Sequence, residues 1–153
     1  MAPLTLILAP FTLEIPNVLG GEFPRLEPEG ASVEFSNHGN SVGFGPAYLE
    51  KYLWSFNTAL HDLETLRLLH AEFKYRRTTA GQNPDILLYD LSEPCQERTP
   101  RTRAIVPGTV ETLVNGGTHV QYYAQFYVWF TVAPKITSSG TTITLAEMGK
   151  VAP

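Results

Sequence analysis

Four histidines, one cysteine and two closely spaced aspartates are the residues of this 153-residue chain whose chemistry could reach beyond packing. A metal ion needs ligands that converge. None of His38, His61, His70 and His119 stands at a His-x-x-x-His or Glu-x-x-His spacing that would place two ligands on one helical face. His61 and His70 fall about 180° apart on a helix that turns about 100° per residue, so a shared metal is not expected. Cys95 sits in Ser-Glu-Pro-Cys-Gln-Glu. A nucleophilic cysteine needs a nearby base and a lowered pKa, and Glu93 and Glu97 act the other way, so an inert thiol is expected. Asp85 and Asp90 belong to a short apolar run, Asp-Ile-Leu-Leu-Tyr-Asp, that reads as a strand. Their spacing sends them to opposite faces, which is no arrangement for a carboxylate pair. No Gly-x-Ser-x-Gly, Gly-x-x-x-x-Gly-Lys or Gly-x-Gly-x-x-Gly is present. The expectation is a chain that is not an enzyme and holds no metal and no cofactor.

Two basic groups remain. Lys74, Arg76 and Arg77 follow an amphipathic stretch whose helix dipole favours them. Arg98, Arg101 and Arg103 lie in a polar segment and could be solvated, touch a neighbouring subunit or touch nucleic acid. They have no interleaved aromatic pattern for stacking bases. The formal net charge is −4, which suits solubility rather than a nucleic-acid surface. Charged residues make up 17% of the chain, against about 25% in a typical domain. A surface short of charge is rich in Ser, Thr, Asn, Gln and Tyr, as expected of an oligomer or of a part of a larger particle.

The elements that must position these residues follow from hydrophobic period. Leu4–Leu8 and Phe11–Ile15 alternate as short strands cut by Pro10 and Pro16. Asn17–Gly30, with Gly20-Gly21, Pro24 and Pro28, reads as an extended arm or long loop. Ala31–Ser36 reads as a strand with Val33 and Phe35 inward, and Asn37–Pro46 as another loop. Tyr48–Asn57 alternates into the core at Trp54 and Phe56. The period then changes, with Leu60, Leu63, Leu66, Leu69 and Phe73 three or four residues apart. This predicts a helix over Asp62–Arg77, capped by Asp62, with Glu64 in its first turn and Gly81 as a breaker beyond its end. Asp85–Asp90 is the next strand, Leu91–Arg103 a polar loop, and Thr141–Glu147 a closing strand. Pro134 and Ser138-Ser139-Gly140 mark a turn. Strands dominate, which predicts a mainly β (α+β) fold, a β-sandwich or open barrel with a long hairpin and one flanking α-helix. The length fits one domain. Its expected parts are N-terminal strands and arm (1–30), a core (31–134) and a C-terminal strand (135–153).

The hairpin is expected from Ala104–Val114 and Thr118–Val132, turning at Asn115-Gly116-Gly117. Along its second strand Tyr122, Ala124, Phe126, Val128, Phe130 and Val132 share one face. Gln121, Tyr123, Gln125, Tyr127, Trp129 and Thr131 share the other. Aromatics interleaved with amides suit a surface covered by a partner, so Tyr123, Gln125, Tyr127 and Trp129, with Arg98, Arg101 and Arg103, are the expected subunit interface. Met1–Pro10 is apolar but has no basic leader and is too short and too Pro-bounded for a signal peptide. No run approaches the ~20 apolar residues of a membrane span, so no membrane partner is expected.

The order of these elements resembles the tail-tube fold of tailed bacteriophages, in particular the minor tail and distal tail proteins of the baseplate hub. The resemblance is carried by Trp54–Phe56, the helix over Leu63–Phe73, Asp85–Asp90, and Gln121–Val132 closed by Pro134, and it spans Ala31 to Pro134. It implies a structural virion protein that forms a ring, commonly of six copies, around a channel through which the genome DNA passes. It implies neighbouring tail-tube and hub proteins as partners, and a place in the virion tail after assembly in the host cytoplasm. The arm over Asn17–Gly30 and the loop over Leu91–Arg103 would then contact other subunits or rings. The strands before Ala31 and after Pro134 depart from the family pattern. The same fold serves a tail terminator or tube-like ring at the head-proximal end. A carbohydrate-binding β-sandwich on a fibre, stacking sugars on Tyr123, Tyr127 and Trp129, is a different reading of the same aromatics.

Overall fold

Leucine alternation builds the first hairpin. In β1 (Leu4–Leu8) the three leucines are buried, while Thr5 and Ile7 are half-buried on the other side. β2 (Phe11–Ile15) returns antiparallel with Leu13 opposite Leu6. The computed structural model of the chain describes residues 2–20, 23–26, 33–35, 41–43 and 51–153. The remaining strands are β3 (Arg25–Leu26), β4 (Val33–Phe35), β5 (Ser41–Gly43), β6 (Leu53–Thr58), β7 (Ile86–Asp90), β8 (Cys95–Arg98), β9 (Thr112–Val114), β10 (His119–Tyr122), β11 (Gln125–Phe130), β12 (Lys135–Thr137) and β13 (Gly140–Lys150). The helix α1 (Leu63–Thr78) separates β6 from β7. The expected inward direction of Val33 and Phe35, and the placement of Tyr48, lie outside what is described.

The main sheet is antiparallel throughout, in the order β2-β1-β7-β11-β13-β6-β3, with β12 beside the start of β13. β8-β10-β9 form a second sheet, and β4 and β5 pair antiparallel. This is the expected mainly β, sandwich-like α+β fold. The main sheet also curls. Beyond β2, Asn17 Oδ1 accepts from Thr58 Oγ1 and Ala59 N, and Leu19 N donates to Asn57 O at 2.8 Å. The exit of one edge strand thereby reaches β6 on the far side of the sheet. The inner face closes around Leu6, Leu88 and Phe126 in one cross-strand row and Phe130, Leu145 and Trp54 in another, all buried. Burying each such side chain contributes about 1.5–3 kcal/mol.

α1 is fixed by its ends and one stripe. Asp62 Oδ1 accepts from Thr65 N at 3.1 Å and Oδ2 from Thr65 Oγ1 at 2.7 Å, the expected cap. Leu66, Leu69 and Phe73 are buried, and Phe73 and His70 meet the ring of Phe130 at the end of β11. Arg76 pairs with Glu72 and also donates to Ala9 O, tying the helix to the β1–β2 turn. Past the helix, Gly81 takes φ +83°, where a side chain would be strained.

The ends are not additions to a core over 31–134, because β1 and β2 line the interior and β13 sits in the middle of the sheet with Ile143 and Leu145 fully buried. The long hairpin does not form. β9 and β10 make a short one, the turn residues Asn115, Gly116 and Gly117 all have positive φ, and the chain crosses to the main sheet at Tyr123–Ala124. Alternation runs unbroken from Tyr122 to Phe130, so the pattern cannot show that the pairing strands change. Val132 lies past the end of β11 and is 60% exposed. The polar segment Leu91–Arg103 contains β8, which pairs with β10. The arm Asn17–Gly30 contains β3, and the loop Asn37–Pro46 contains β5.

Candidate functional site

The outer face of the main sheet gathers three of the residues expected at an interface. Gln125, Tyr127 and Trp129 alternate outward along β11, each half-buried. Gln125 Nε2 donates to Ile105 O at 2.7 Å, and Trp129 Nε1 donates to Asp85 Oδ1 at 2.7 Å. The Trp129 ring packs edge-on to Phe73, and the Arg77 guanidinium lies 5.2 Å from its centroid. The polar ends of Gln125 and Trp129 therefore have partners within the chain. Tyr123, half-buried, sits at the crossing between sheets, where its carbonyl accepts from Val106 N. Across the strands the face continues through Leu87 and Ile7 on one side and Ala146 on the other. It ends on Leu53 and Leu26, paired in register and 44% and 49% exposed. A bulge between Tyr127 and Val128 leaves Met148 unpaired on β13, with 40% of it exposed.

The three arginines do not form one patch. Arg98 is exposed on β8, and Arg101 donates to Glu111 at 3.0 Å. Arg103, expected at the surface, is buried. Its Nε and Nη2 both lie 2.9 Å from the carboxylate of Glu147, which closes a two-pronged ion pair. Glu147 also accepts from Tyr52 N.

A second buried pair faces the first across two rings. Arg25 Nη1 meets Asp90 Oδ2 at 3.1 Å, and its Nη2 meets Glu93 at 3.1 Å and donates to Pro94 O at 2.9 Å. Asp90 accepts as well from Trp54 Nε1 at 3.0 Å and from Ser92 N at 2.9 Å. Both guanidiniums lie between 5.1 and 5.6 Å from the centroids of Tyr52 and Phe126. Asp90 and Glu147 are thus each committed to an arginine and to at least one further donor, as a buried charge requires. The arrangement does structural work. It holds the two-residue strand β3 and the segments after β7 and β8 against the end of the curled sheet.

Cys95 and Tyr122 border this cluster. Burial pushes the Cys95 thiol up to about 11, against the weaker opposing pull of Arg25 and Arg103. The Tyr122 hydroxyl donates to Glu97 Oε1 at 2.9 Å, and burial followed by that carboxylate raises its pKa. Glu97 in turn accepts from the Thr102 amide and hydroxyl. A thiol held neutral beside carboxylates that are already engaged is no nucleophile.

Among the described residues no group of three or more His, Cys, Asp and Glu side chains could hold a metal. The surface clefts are shallow and lined by ordinary side chains. One lies between β2 and the start of α1, with Glu14, Leu60, His61 and Asp62 around it. Another lies between the last turns of α1 and the end of β11, with His70, Lys74, Arg77 and Phe130. Comparison with protein-family models, with curated proteins and with solved structures finds no significant match in any of the three.

Proposed function

We propose that this chain is a structural virion protein that assembles with copies of itself into a ring in a bacteriophage tail, at the distal hub or baseplate around the genome channel. The observation that carries the reading is the outer sheet face. Leu26, Leu53 and Met148 stand exposed there, beside half-buried Ala146, Trp129, Tyr127, Leu87 and Ile7. A contiguous apolar and aromatic face on a protein surface marks a contact with another protein. The buried charges support the same reading, because Arg25 with Asp90 and Arg103 with Glu147 form ion pairs that hold the curled sheet together. The resemblance in element order narrows the contact to copies of this chain in a tail ring. Closed rings also cover strand edges such as β2, which among the described residues is paired on one side only. Trp129, tied to Asp85 and covered by Arg77, is poorly placed to stack on a sugar, which weighs against the carbohydrate-binding reading.

The test is direct. Purified protein examined by native mass spectrometry and negative-stain electron microscopy is expected to form closed rings, and antibody to the chain is expected to label the tip of tailed particles. A protein that stays monomeric at every concentration and is missing from such particles would remove the reading.

A further inference from the structure

The two ends of α1 carry opposite charge in two separate clefts. At its start, Glu14 from β2 and Asp62 flank a cleft floored by Leu13, Pro16 and Leu60, with His61 on its rim. Glu14, Asp62 and nearby Glu64 are all exposed. At its end, His70, Lys74 and Arg77 edge a groove floored by Phe73 and Phe130, with exposed Val132 on the opposite wall. Lys74 and Arg77 are exposed. The helix has 16 residues, which sets its two ends about 24 Å apart at about 1.5 Å per residue.

The helix dipole accounts for Glu64 in the first turn and Arg77 in the last. It does not account for Glu14, which comes from a different element, or for the apolar residues that line both clefts. The basic groove also adjoins the outer aromatic face, because Arg77 lies over Trp129.

We propose that the acidic cleft of one copy docks on the basic groove of the next, with Glu14 and Glu64 facing Lys74 and Arg77 and the apolar linings closing between them. This rests on the ring reading and adds to the outer sheet face a charged contact between neighbouring copies, at the groove that adjoins that face. Charge selects the geometry. Pairing either cleft with its own copy across a two-fold axis would set Lys74 and Arg77 against themselves, or Glu14 and Glu64 against themselves. Joining one cleft to the other is attractive, and it leaves each copy with one free donor patch and one free acceptor patch. Such a contact propagates and closes into a ring when its rotation permits.

The experiment uses the full chain in four preparations, read by native mass spectrometry and sedimentation: the unaltered protein, Lys74→Glu with Arg77→Glu, Glu14→Lys with Glu64→Lys, and an equimolar mixture of these two variants. Each variant alone is expected to lose assembly, with association weakened roughly tenfold or more. The mixture is expected to regain rings with the two variants alternating, since every contact in it is again between opposite charges. Circular dichroism and melting temperature establish that each variant is folded. Assembly of the unaltered protein should also weaken from low to high salt, which gives a reading that needs no variant. Rings that persist in both variants, or a mixture that stays dissociated, overturn the proposed contact and leave the ring reading standing. An unaltered protein that never assembles overturns both.

Discussion

Arg103 and Glu147 lie 44 residues apart in sequence and face each other through two hydrogen bonds of 2.9 Å, with side chains 3% and 1% exposed. Removing one member leaves a buried charge without its partner. Arg103→Met is therefore expected to destabilise the fold by about 3–5 kcal/mol. Arg103→Met combined with Glu147→Leu removes both charges and should recover most of that loss. Urea unfolding of the two single variants and the double variant measures the coupling. If the double variant is no more stable than the singles, the pair is not the unit described above.

Trp54 and Asp90 give a second, milder test of the same region. Trp54 is fully buried and donates Nε1 to Asp90 Oδ2, while its ring packs edge-on to Phe126 with centroids 4.8 Å apart. Trp54→Phe keeps an aromatic ring in place and removes the donor, at an expected cost of about 1–3 kcal/mol for the under-satisfied carboxylate and the lost volume. Trp54→Ala should cost more, about 3–5 kcal/mol. Equal losses for the two would mean that the hydrogen bond contributes little.

Alternation made the strands legible because each inward side chain meets the same curled interior. Trp54 and Phe56 enter the core and Phe126, Val128 and Phe130 share the inward face, as expected from the sequence, and Leu4, Leu6, Leu8, Ile86 and Leu88 face inward with them. α1 was legible from its period and from Asp62. The buried charges were missed although the phase contained them. Asp90 follows Ile86 and Leu88, and Glu147 follows Ile143 and Leu145, each in the inward register of its strand. A charged residue on an inward phase signals a buried partner, but nothing local says which arginine answers. Arg25 and Arg103 sit in Gly- and Pro-rich or polar stretches without period, and only the tertiary fold brings them in. The same holds for β3 and β8, whose short runs are strands because of their partners rather than their composition.

Cys95 should behave as a sealed thiol. It is 5% exposed, and burial raises its pKa from 9.0 to about 11. An acid whose folded pKa is raised keeps its proton in the native state after the unfolded chain has lost it. Stability from this group is thus complete below pH 9 and falls as pH rises from 9 towards 11. Cys95→Ala should flatten that alkaline fall. At pH 8 the native protein should resist a disulfide-exchange reagent and react only as fast as it opens, whereas the urea-unfolded chain should react at once. Prompt labelling of the native thiol would contradict the burial.

Two groups of α1 give the opposite pH dependence. Hydrogen bonds from the Thr65 hydroxyl and amide lower the pKa of Asp62, so its contribution is present above the ordinary carboxyl value and is lost as pH falls through the lowered one. Burial, and then Lys74, lowers the pKa of His70. The unfolded imidazole gains its proton first, so stability drops as pH falls below the ordinary histidine value of about 6.5. Melting temperature between pH 7 and pH 3 should decline in two stages, with the first absent in His70→Gln and the second reduced in Asp62→Ala. Loss of the wrong stage in either variant would assign these groups incorrectly.

The outer face separates folding from assembly. Leu53 is 44% exposed and points away from the packed interior, between Leu26 and Ala146. Leu53→Lys should change monomer stability by no more than about 0.5 kcal/mol, as surface substitutions usually do. If the face is an assembly surface, the same substitution places an unpaired charge in a desolvated contact and should abolish rings. Tyr127→Asp on β11 makes the stronger case, because Tyr127 lies half-buried between Leu87 and Gly149 in the middle of that face. The two positions sit on different strands, so loss of rings in both, with native circular dichroism retained, would show that the face takes part in assembly alongside the charged clefts of α1. Rings that form normally in both variants would show that the exposed leucines and aromatics merely line the outside of a self-sufficient sheet.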